Sequence, residues 1–241
     1  MAKLDRSLIH ALPMFRAMGE DELDAVMAHA KAQRIPKGAA IFQQGEIAKS
    51  FFVLLHGRLK VVKVTPHGQQ VVIRFVNPGE IYGFTKALSR EDYPATATAV
   101  VDSVTLVWPT DKWDDFMAAP SLAANVMQMM GERLQEAHTR VKELSTEEVA
   151  HRVAHTLLRL VDQSGRATEE GMLIDFPITQ QDLAQASGTT LHSVSRILST
   201  WESAGLVALG RRKIVVCDVP GLTHLAEDHV SVREIERDRS R

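Results

Sequence analysis

Near its C-terminal end, the chain carries a group of side chains of the kinds that contact nucleic acids. Thr179 is suited to N-cap a short helix over residues 180–186, Gly188 to form a tight turn, and residues 190–202 to form a second helix. On that second helix, Arg196 can offer a bidentate fork to guanine O6 and N7. The pattern predicts a helix-turn-helix whose second helix reads base edges. Its polar candidates are Thr179, Thr189, Thr190, His192, Ser193, Ser195 and Arg196.

Three consecutive cations, Arg211, Arg212 and Lys213, follow Gly210 between two apolar runs. This arrangement predicts a β-hairpin with a basic tip suited to phosphate contacts. A charged tip alone is equally typical of a solvated turn, and its position beside the second helix favours the DNA contact. The apolar side chains expected to turn that helix toward the core are Leu191, Val194, Leu198 and Trp201.

Composition limits what the rest of the 241 residues can do. With 45% hydrophobic residues the chain can form two ordinary domains, and a net charge of -2 means that attraction to DNA must be local. No apolar run approaches the roughly 20 residues of a membrane span, so a cytoplasmic protein without membrane contact is expected. Cys217, the one cysteine, excludes an internal disulfide and an iron–sulfur cluster.

Short runs rich in β-branched and aromatic residues fill the first half between regularly spaced glycines. Within residues 70–76, Val71 and Ile73 alternate with Val72 and Arg74, the period of a strand with one inward face. Helices are expected over residues 5–12 and 21–31. The pattern predicts a mainly antiparallel barrel. Its strands are residues 50–55, 59–64, 70–76, 96–101 and 104–108.

After Pro120 the apolar period becomes helical, at alternating steps of three and four residues, which is the seam of two helices packed side by side. A dimer is therefore predicted, although such a stripe can also pack on its own barrel. The seam residues are Met127, Met130, Leu134, Ala137, Val141 and Leu144. Ser145 and Glu148 have the spacing of a capping box that restarts a helix, and residues 163–171 read as a loop.

These features together resemble the CRP/FNR superfamily of bacterial regulators over nearly the whole chain. The resemblance rests on Gly57, Gly68, Gly79-Glu80, the segment 178–198, and Gly205-Leu206-Val207 with the hairpin. It implies an α+β protein with a cupin-like β-roll sensor (1–119), a dimerisation helix (120–145), a winged helix-turn-helix (146–226) and a charged tail (227–241). It also implies a homodimer on a palindromic operator and RNA polymerase as a partner.

Members that bind cyclic AMP carry Gly-Glu followed about ten residues later by Arg-Ser or Arg-Thr. Here Gly79-Glu80 is present, but Tyr93 and Pro94 stand at the later positions, and Arg90 lies three residues early. A cyclic phosphate would lack its countercharge, so a cyclic nucleotide is not the expected effector. The same comparison places His192 where relatives often carry glutamate, which predicts an altered half-site opposite it.

Residues 93–100 and 12–15 are most similar to the nitric-oxide-responsive regulators of denitrification within this superfamily. That resemblance implies haem, which needs an axial ligand from the protein, and His10 and His56 are the candidates. Either histidine can instead be an ordinary surface residue.

Alternatives from other classes stay open. The barrel can have lost its effector, leaving a constitutive DNA-binding protein. His151 and His155 share a helical face and could chelate zinc or copper, but no third ligand is near in sequence. No His-x-His pair, Ser-His-Asp set or phosphate loop stands out, so an enzyme is not expected.

Overall fold

The computed structural model describes residues 9–16 and 18–227 of the chain. They divide into two compact units, one ending at Ala137 and the other beginning at His138.

The N-terminal unit is built on antiparallel strands. Among the described residues these form two four-stranded sheets, with the orders β1-β8-β3-β6 and β2-β7-β4-β5. The strands are β1 (Lys31–Ile35), β2 (Ala40–Phe42), β3 (Ser50–His56), β4 (Leu59–Val64), β5 (Gln70–Val76), β6 (Ile81–Tyr82), β7 (Thr96–Ala99) and β8 (Ser103–Pro109). The predicted β-rich sensor architecture is confirmed, and β1, β2 and β6 are additions to it.

Two apolar clusters fill this unit. One lies between the sheet that contains β3 and β8 and the helices α1 (Glu20–Met27), α2 (Trp113–Met117) and the first part of α3 (Pro120–Thr146). Trp108 in β8 is buried there and donates its indole N–H to the carbonyl of Val26 at 2.8 Å, which fixes α1 against the sheet. The other cluster lies within the roll and is rich in aromatic rings. These are Phe42, Phe52, Tyr82 and Tyr93.

The C-terminal unit joins helices to two hairpins. Its helices after α3 are α4 (Val149–Ser164), α5 (Gln180–Ser187), α6 (Leu191–Ser203) and α7 (Val219–Glu227). Its strands are β9 (Gly165–Thr168), β10 (Gly171–Ile174), β11 (Val207–Gly210) and β12 (Lys213–Val216), paired in the order β11-β12-β10-β9. The predicted helix-turn-helix and hairpin are both present.

Four local predictions are wrong. The helix expected to reach Lys31 ends at Met27, because Lys31 already pairs with Val107 in the sheet. Residues 163–171 are not a loop, since β9 and β10 form a hairpin there. Ser145 is not a cap: it lies within α3 and its hydroxyl donates to the Val141 carbonyl, while Glu148 precedes α4 without a side-chain cap bond. Leu191 is not in the core, being 46% exposed.

The predicted helix over residues 5–12 lies mostly outside the described residues. Ile9 and His10 are helical, and a 3-10 turn follows at Pro13–Phe15.

Candidate nucleic-acid interface and effector cavity

Side-chain caps fix the start of both helices of the helix-turn-helix, and the cap of α5 is reciprocal. The Thr179 hydroxyl accepts from the Asp182 backbone N–H at 3.0 Å, and the Asp182 carboxylate accepts from the Thr179 N–H at 3.0 Å. Thr190 caps α6 by accepting from the Ser193 N–H at 3.1 Å. Gly188 makes the turn between the helices with φ 65°, a left-handed conformation that glycine adopts without steric cost. Thr179 and Thr190 therefore position the motif with the same hydroxyls that were predicted to face DNA.

The second helix, α6, is amphipathic in the sense that a DNA-reading helix requires. Val194, Leu198 and Trp201 are buried, whereas His192 and Arg196 are exposed one turn apart on the opposite face. Within the described residues the Arg196 guanidinium makes no hydrogen bond, so its donors are available for base edges. Ser193, Ser195 and Thr189 are half-buried beside this face.

The hairpin of β11 and β12 presents the basic tip as predicted. Arg211 and Arg212 form the turn, Arg212 has φ 58°, and both are exposed. Lys213 is also exposed, and its ammonium lies 3.8 Å from the Glu170 carboxylate. Because an exposed pair at that distance is weak, Lys213 retains most of its capacity for phosphate contacts.

An arginine that the sequence reasoning missed holds the helix-turn-helix in place. Arg152 in α4 donates from Nη1 to the Glu147 carbonyl at 2.7 Å and from Nε to the Ser187 carbonyl at 3.1 Å. A longer contact, 3.4 Å, reaches the Gly188 carbonyl. One guanidinium thus fastens the turn before α6 to the segment that precedes α4. No local sequence pattern singles out Arg152, because its partners are backbone carbonyls five and 35 residues away.

The helix α3 leaves much of its predicted seam uncovered within a single chain. Met127, Leu134, Val141 and Leu144 are 73%, 55%, 63% and 56% exposed. Met130 departs from this pattern, because it is half-buried and packs on the core of the N-terminal unit. Ala137 is exposed. Met130 therefore packs on its own barrel, as the alternative reading of the stripe predicted. The four exposed residues, Met127, Leu134, Val141 and Leu144, do not.

A cavity of about 120 Å³ opens inside the β-roll. Its walls are mainly apolar and aromatic, with Arg74 as the one charged lining residue among those described. The lining residues are Phe42, Val61, Arg74, Tyr82, Gly83, Phe84, Thr85, Leu88, Tyr93, Pro94 and Ala95. Tyr93 and Pro94, which stand where cyclic-AMP-binding members carry Arg and Ser, do lie at the cavity. Arg90 does not line it and pairs instead with Asp92 at 2.9 Å.

Glu80 does not line this cavity, contrary to its expected place in a phosphate cassette. One of its oxygens, Oε2, accepts from Arg74 at 2.8 Å and from Arg133 of α3 at 2.9 Å, and its Oε1 accepts from Asn77 at 3.0 Å. Although burial favours the protonated form, the arginines hold the pKa of Glu80 below its ordinary value. Gly83 and Phe84 are the residues that face the cavity instead.

The histidines predicted to bind haem do not fit such a site. His56 is exposed at the end of β3, His10 is half-buried near the N-terminus, and neither lines the cavity. Pockets for drug-sized ligands usually have volumes of roughly 300–1,000 Å³, and this cavity is smaller. Haem binding therefore stays a prediction without support from the described residues.

The histidine pair in α4 is not a metal centre in the described part of the chain. His151 is buried, and His155 Nε2 lies 3.4 Å from a carboxylate oxygen of Glu147. No group of three His, Cys, Asp or Glu side chains within residues 9–16 and 18–227 is arranged to hold a metal ion.

Of the helices described, none has the length and apolar character needed to cross a membrane.

Comparison with known proteins identifies the class. The cyclic nucleotide-binding domain family matches residues 32–119, and the Crp-like helix-turn-helix domain family matches residues 151–225. These two matches cover the β-roll and the DNA-reading motif in the order just described. The chain belongs to the CRP/FNR family of transcription regulators, whose helix-turn-helix implies DNA binding.

Individual relatives agree with this assignment over most of the chain. A cyclic AMP receptor protein from Thermus thermophilus is 28% identical, covering 89% of this chain and 96% of that protein. The transcriptional activator protein FnrA from Stutzerimonas stutzeri is 25% identical, covering 86% and 84%. A crystal structure of a CRP-family transcriptional regulator, also from Thermus thermophilus, superposes with a TM-score of 0.70 at 25% identity, covering 80% of this chain and 96% of that one. Since these relatives are regulators of different kinds, the similarity does not select an effector.

Proposed function

We propose that this regulator acts as a homodimer on a palindromic DNA site and that a small effector in the β-roll sets its affinity for that site. The observation that carries the proposal is the exposed face of α6, on which His192 and Arg196 stand one turn apart above a buried Val194 and Leu198. Arg196 on that face is the residue type that most often contacts guanine in the major groove. The N-terminal residues of a recognition helix contact the base edges, and both side chains lie in the N-terminal half of α6.

The dimer is supported by the uncovered stripe on α3. Met127, Leu134 and Val141 recur every seven residues and are each more than half exposed in one chain. Burying large apolar side chains against a second copy removes them from water and stabilises the pair, which is the geometry of a left-handed coiled coil. Two copies then present two copies of α6, so the site they read is two-fold symmetric.

Response to an effector follows from the same helix. Arg133 of α3 shares Glu80 with Arg74, a lining residue of the cavity, so the cavity wall and α3 are joined by two charge-assisted hydrogen bonds. A ligand that binds one arrangement of this network better than another shifts the population of dimers able to bind DNA. RNA polymerase as a partner remains part of the proposal, since regulators of this family act on transcription.

Selection of binding sites from random duplexes tests the proposal. We expect a palindrome with a guanine in each half-site, and we expect Arg196→Ala to lose about 1–3 kcal/mol and to relax preference at that base pair only. A matched control is Arg166→Ala, which removes an exposed arginine of β9 that pairs with Asp175 and lies outside the helix-turn-helix. An asymmetric selected site, or an Arg196→Ala loss that is uniform across sequences, would contradict the proposal.

The effector expected from the sequence, nitric oxide bound to haem, has its own test. Absorption spectra during haem titration of the native chain, His10→Ala and His56→Ala decide it. A stoichiometric Soret band in the native chain that either substitution removes would establish the haem hypothesis. If the native chain gives no such band, the haem hypothesis is wrong and the effector is to be sought among ligands of the cavity.

A further inference from the structure

The cavity of the β-roll combines an aromatic wall with one charged lining residue, Arg74. Phe42 stacks on Tyr93 with ring centroids 3.9 Å apart, and Tyr82 stacks on Phe52 at 5.0 Å. Of these rings, Phe42, Tyr82 and Tyr93 line the cavity directly. Such a surface favours a flat apolar body.

The charges around Arg74 are unevenly buried. Two guanidiniums, those of Arg74 and Arg133, share a single oxygen of Glu80, and their side chains are only 20% and 19% exposed. Glu136 also favours the charged form of Arg74, but it is exposed and therefore screened by solvent. Burial lowers the pKa of Arg74 to about 9, with a further contribution from Arg133. A second anion at Arg74 would relieve both effects.

Two residues that line the cavity, Arg74 and Thr85, have polar groups without a hydrogen-bond partner among the described residues. Arg74 uses Nη1 on Glu80 and Nη2 on the Ile81 carbonyl at 3.0 Å, and its other N–H groups make no hydrogen bond within the described residues. Thr85, which also lines the cavity, is 2% exposed, and its hydroxyl has no partner among the residues described. Buried hydroxyls are normally satisfied, so an unpartnered one at a cavity wall marks a place where a ligand oxygen can bind.

The volume of the cavity limits the size of the ligand. An engineered cavity of about 150 Å³ accommodates benzene, so a cavity of about 120 Å³ is on the scale of one ring. We propose that the β-roll binds a single-ring aromatic carboxylate, with the carboxylate at Arg74 and Thr85 and the ring against Phe42, Tyr82 and Tyr93. This inference rests on the proposed function, because it names the class of effector for that regulator.

Calorimetric titration of the full chain with sodium benzoate tests it. We expect saturable binding to the native protein and at least about tenfold weaker binding of benzamide, which has the same shape without the charge, and of acetate, which has the charge without the ring. Arg74→Gln should weaken benzoate binding at least about tenfold, and Thr85→Val about three- to tenfold. Arg34→Gln, on the exposed part of β1, is the matched control and should bind as the native chain does.

Equal affinity for benzoate and benzamide, unchanged binding by Arg74→Gln, or no saturable binding to the native chain would overturn the inference. If Arg74→Gln does not fold by circular dichroism, the ligand pair and Thr85→Val decide the matter. The same preparations are assayed for binding to the selected palindrome. A protein that binds DNA but not benzoate refutes the ligand alone, whereas one that binds benzoate but no palindrome refutes the proposed function.

Discussion

Replacing Arg152 by methionine should loosen the helix-turn-helix without touching any side chain that faces DNA. The change removes bonds of 2.7 Å to the Glu147 carbonyl and 3.1 Å to the Ser187 carbonyl, together with the 3.4 Å contact to Gly188. Methionine keeps most of the apolar stem of the side chain. The variant therefore tests the hydrogen bonds and the charge rather than the packing.

The expected loss follows from the two shorter bonds. A hydrogen bond from a charged donor contributes roughly 1.5–3 kcal/mol, and the 3.4 Å contact adds little. Because Glu147 is half-buried and its carbonyl can regain water, while Ser187 is 3% exposed and cannot, we expect a net loss of about 2–3 kcal/mol. For a unit of this size, that corresponds to a decrease in Tm of roughly 10–20 °C.

Thermal unfolding followed by circular dichroism, with DNA affinity measured in parallel, checks this result. Arg152→Lys should recover part of the stability, since an ammonium can still reach one carbonyl. The control is Arg166→Met, whose ion pair with Asp175 is 61% and 56% exposed and should contribute within about 0.5 kcal/mol. If Arg152→Met unfolds at the same temperature as Arg166→Met, the role assigned to Arg152 is incorrect.

Three further outcomes are expected. Leu134→Asp, which places a charge in the exposed seam, should give a monomer by analytical ultracentrifugation with an unchanged β-sheet signal; a stable dimer would refute the seam. Arg211→Gln should weaken binding to all duplexes alike and reduce the slope of log affinity against log salt by about 1, whereas a loss confined to one sequence would exclude a phosphate contact. Gly57→Ala should lower the free energy of unfolding of the N-terminal unit by more than about 2 kcal/mol in urea titration. The reason is that Gly57 has φ 98° and that a Cβ there would lie 2.8 Å from the Asp102 carbonyl oxygen. Native stability in this variant would show that the turn accommodates the Cβ without strain.

The sequence predicts the elements whose signals are local. Strands β4 and β5 have the bounds expected from their β-branched runs, and Thr179, Gly188 and Thr190 occupy the cap and turn positions that their side chains favour. These features depend on backbone conformations that a few adjacent residues determine.

Structural features that depend on residues distant in sequence could not be predicted from local patterns. Ser145 and Glu148 have the spacing of a cap, yet α3 continues through Thr146, because Glu143 packs into the unit and pairs with Arg159. The strands β9 and β10 form because β10 pairs with β12, more than forty residues later. The strand propensities of residues 163–171 do not indicate that pairing.

The effector cavity shows the same limit. Arg74 sits at an alternate position of β5 and reads as an ordinary surface cation, but it faces inward with Val72, opposite Val61 across the sheet. Its partners, Glu80 and Arg133, are six and 59 residues away. Only the three-dimensional arrangement distinguishes this arginine from Arg90, which lies three residues before the motif position and pairs with Asp92 at the surface.

Dependence of affinity on half-site spacing is the most direct test of the paired reading helices. Fluorescence anisotropy on duplexes with 5 or 10 base pairs inserted at the centre of the selected palindrome compares the two half-sites on opposite faces and on the same face of the DNA. A homodimer predicts that either insertion lowers affinity at least about a hundredfold, to the level of a single half-site, because the α6 pair has one fixed separation. Affinity that does not change with spacing would mean that each chain binds DNA independently.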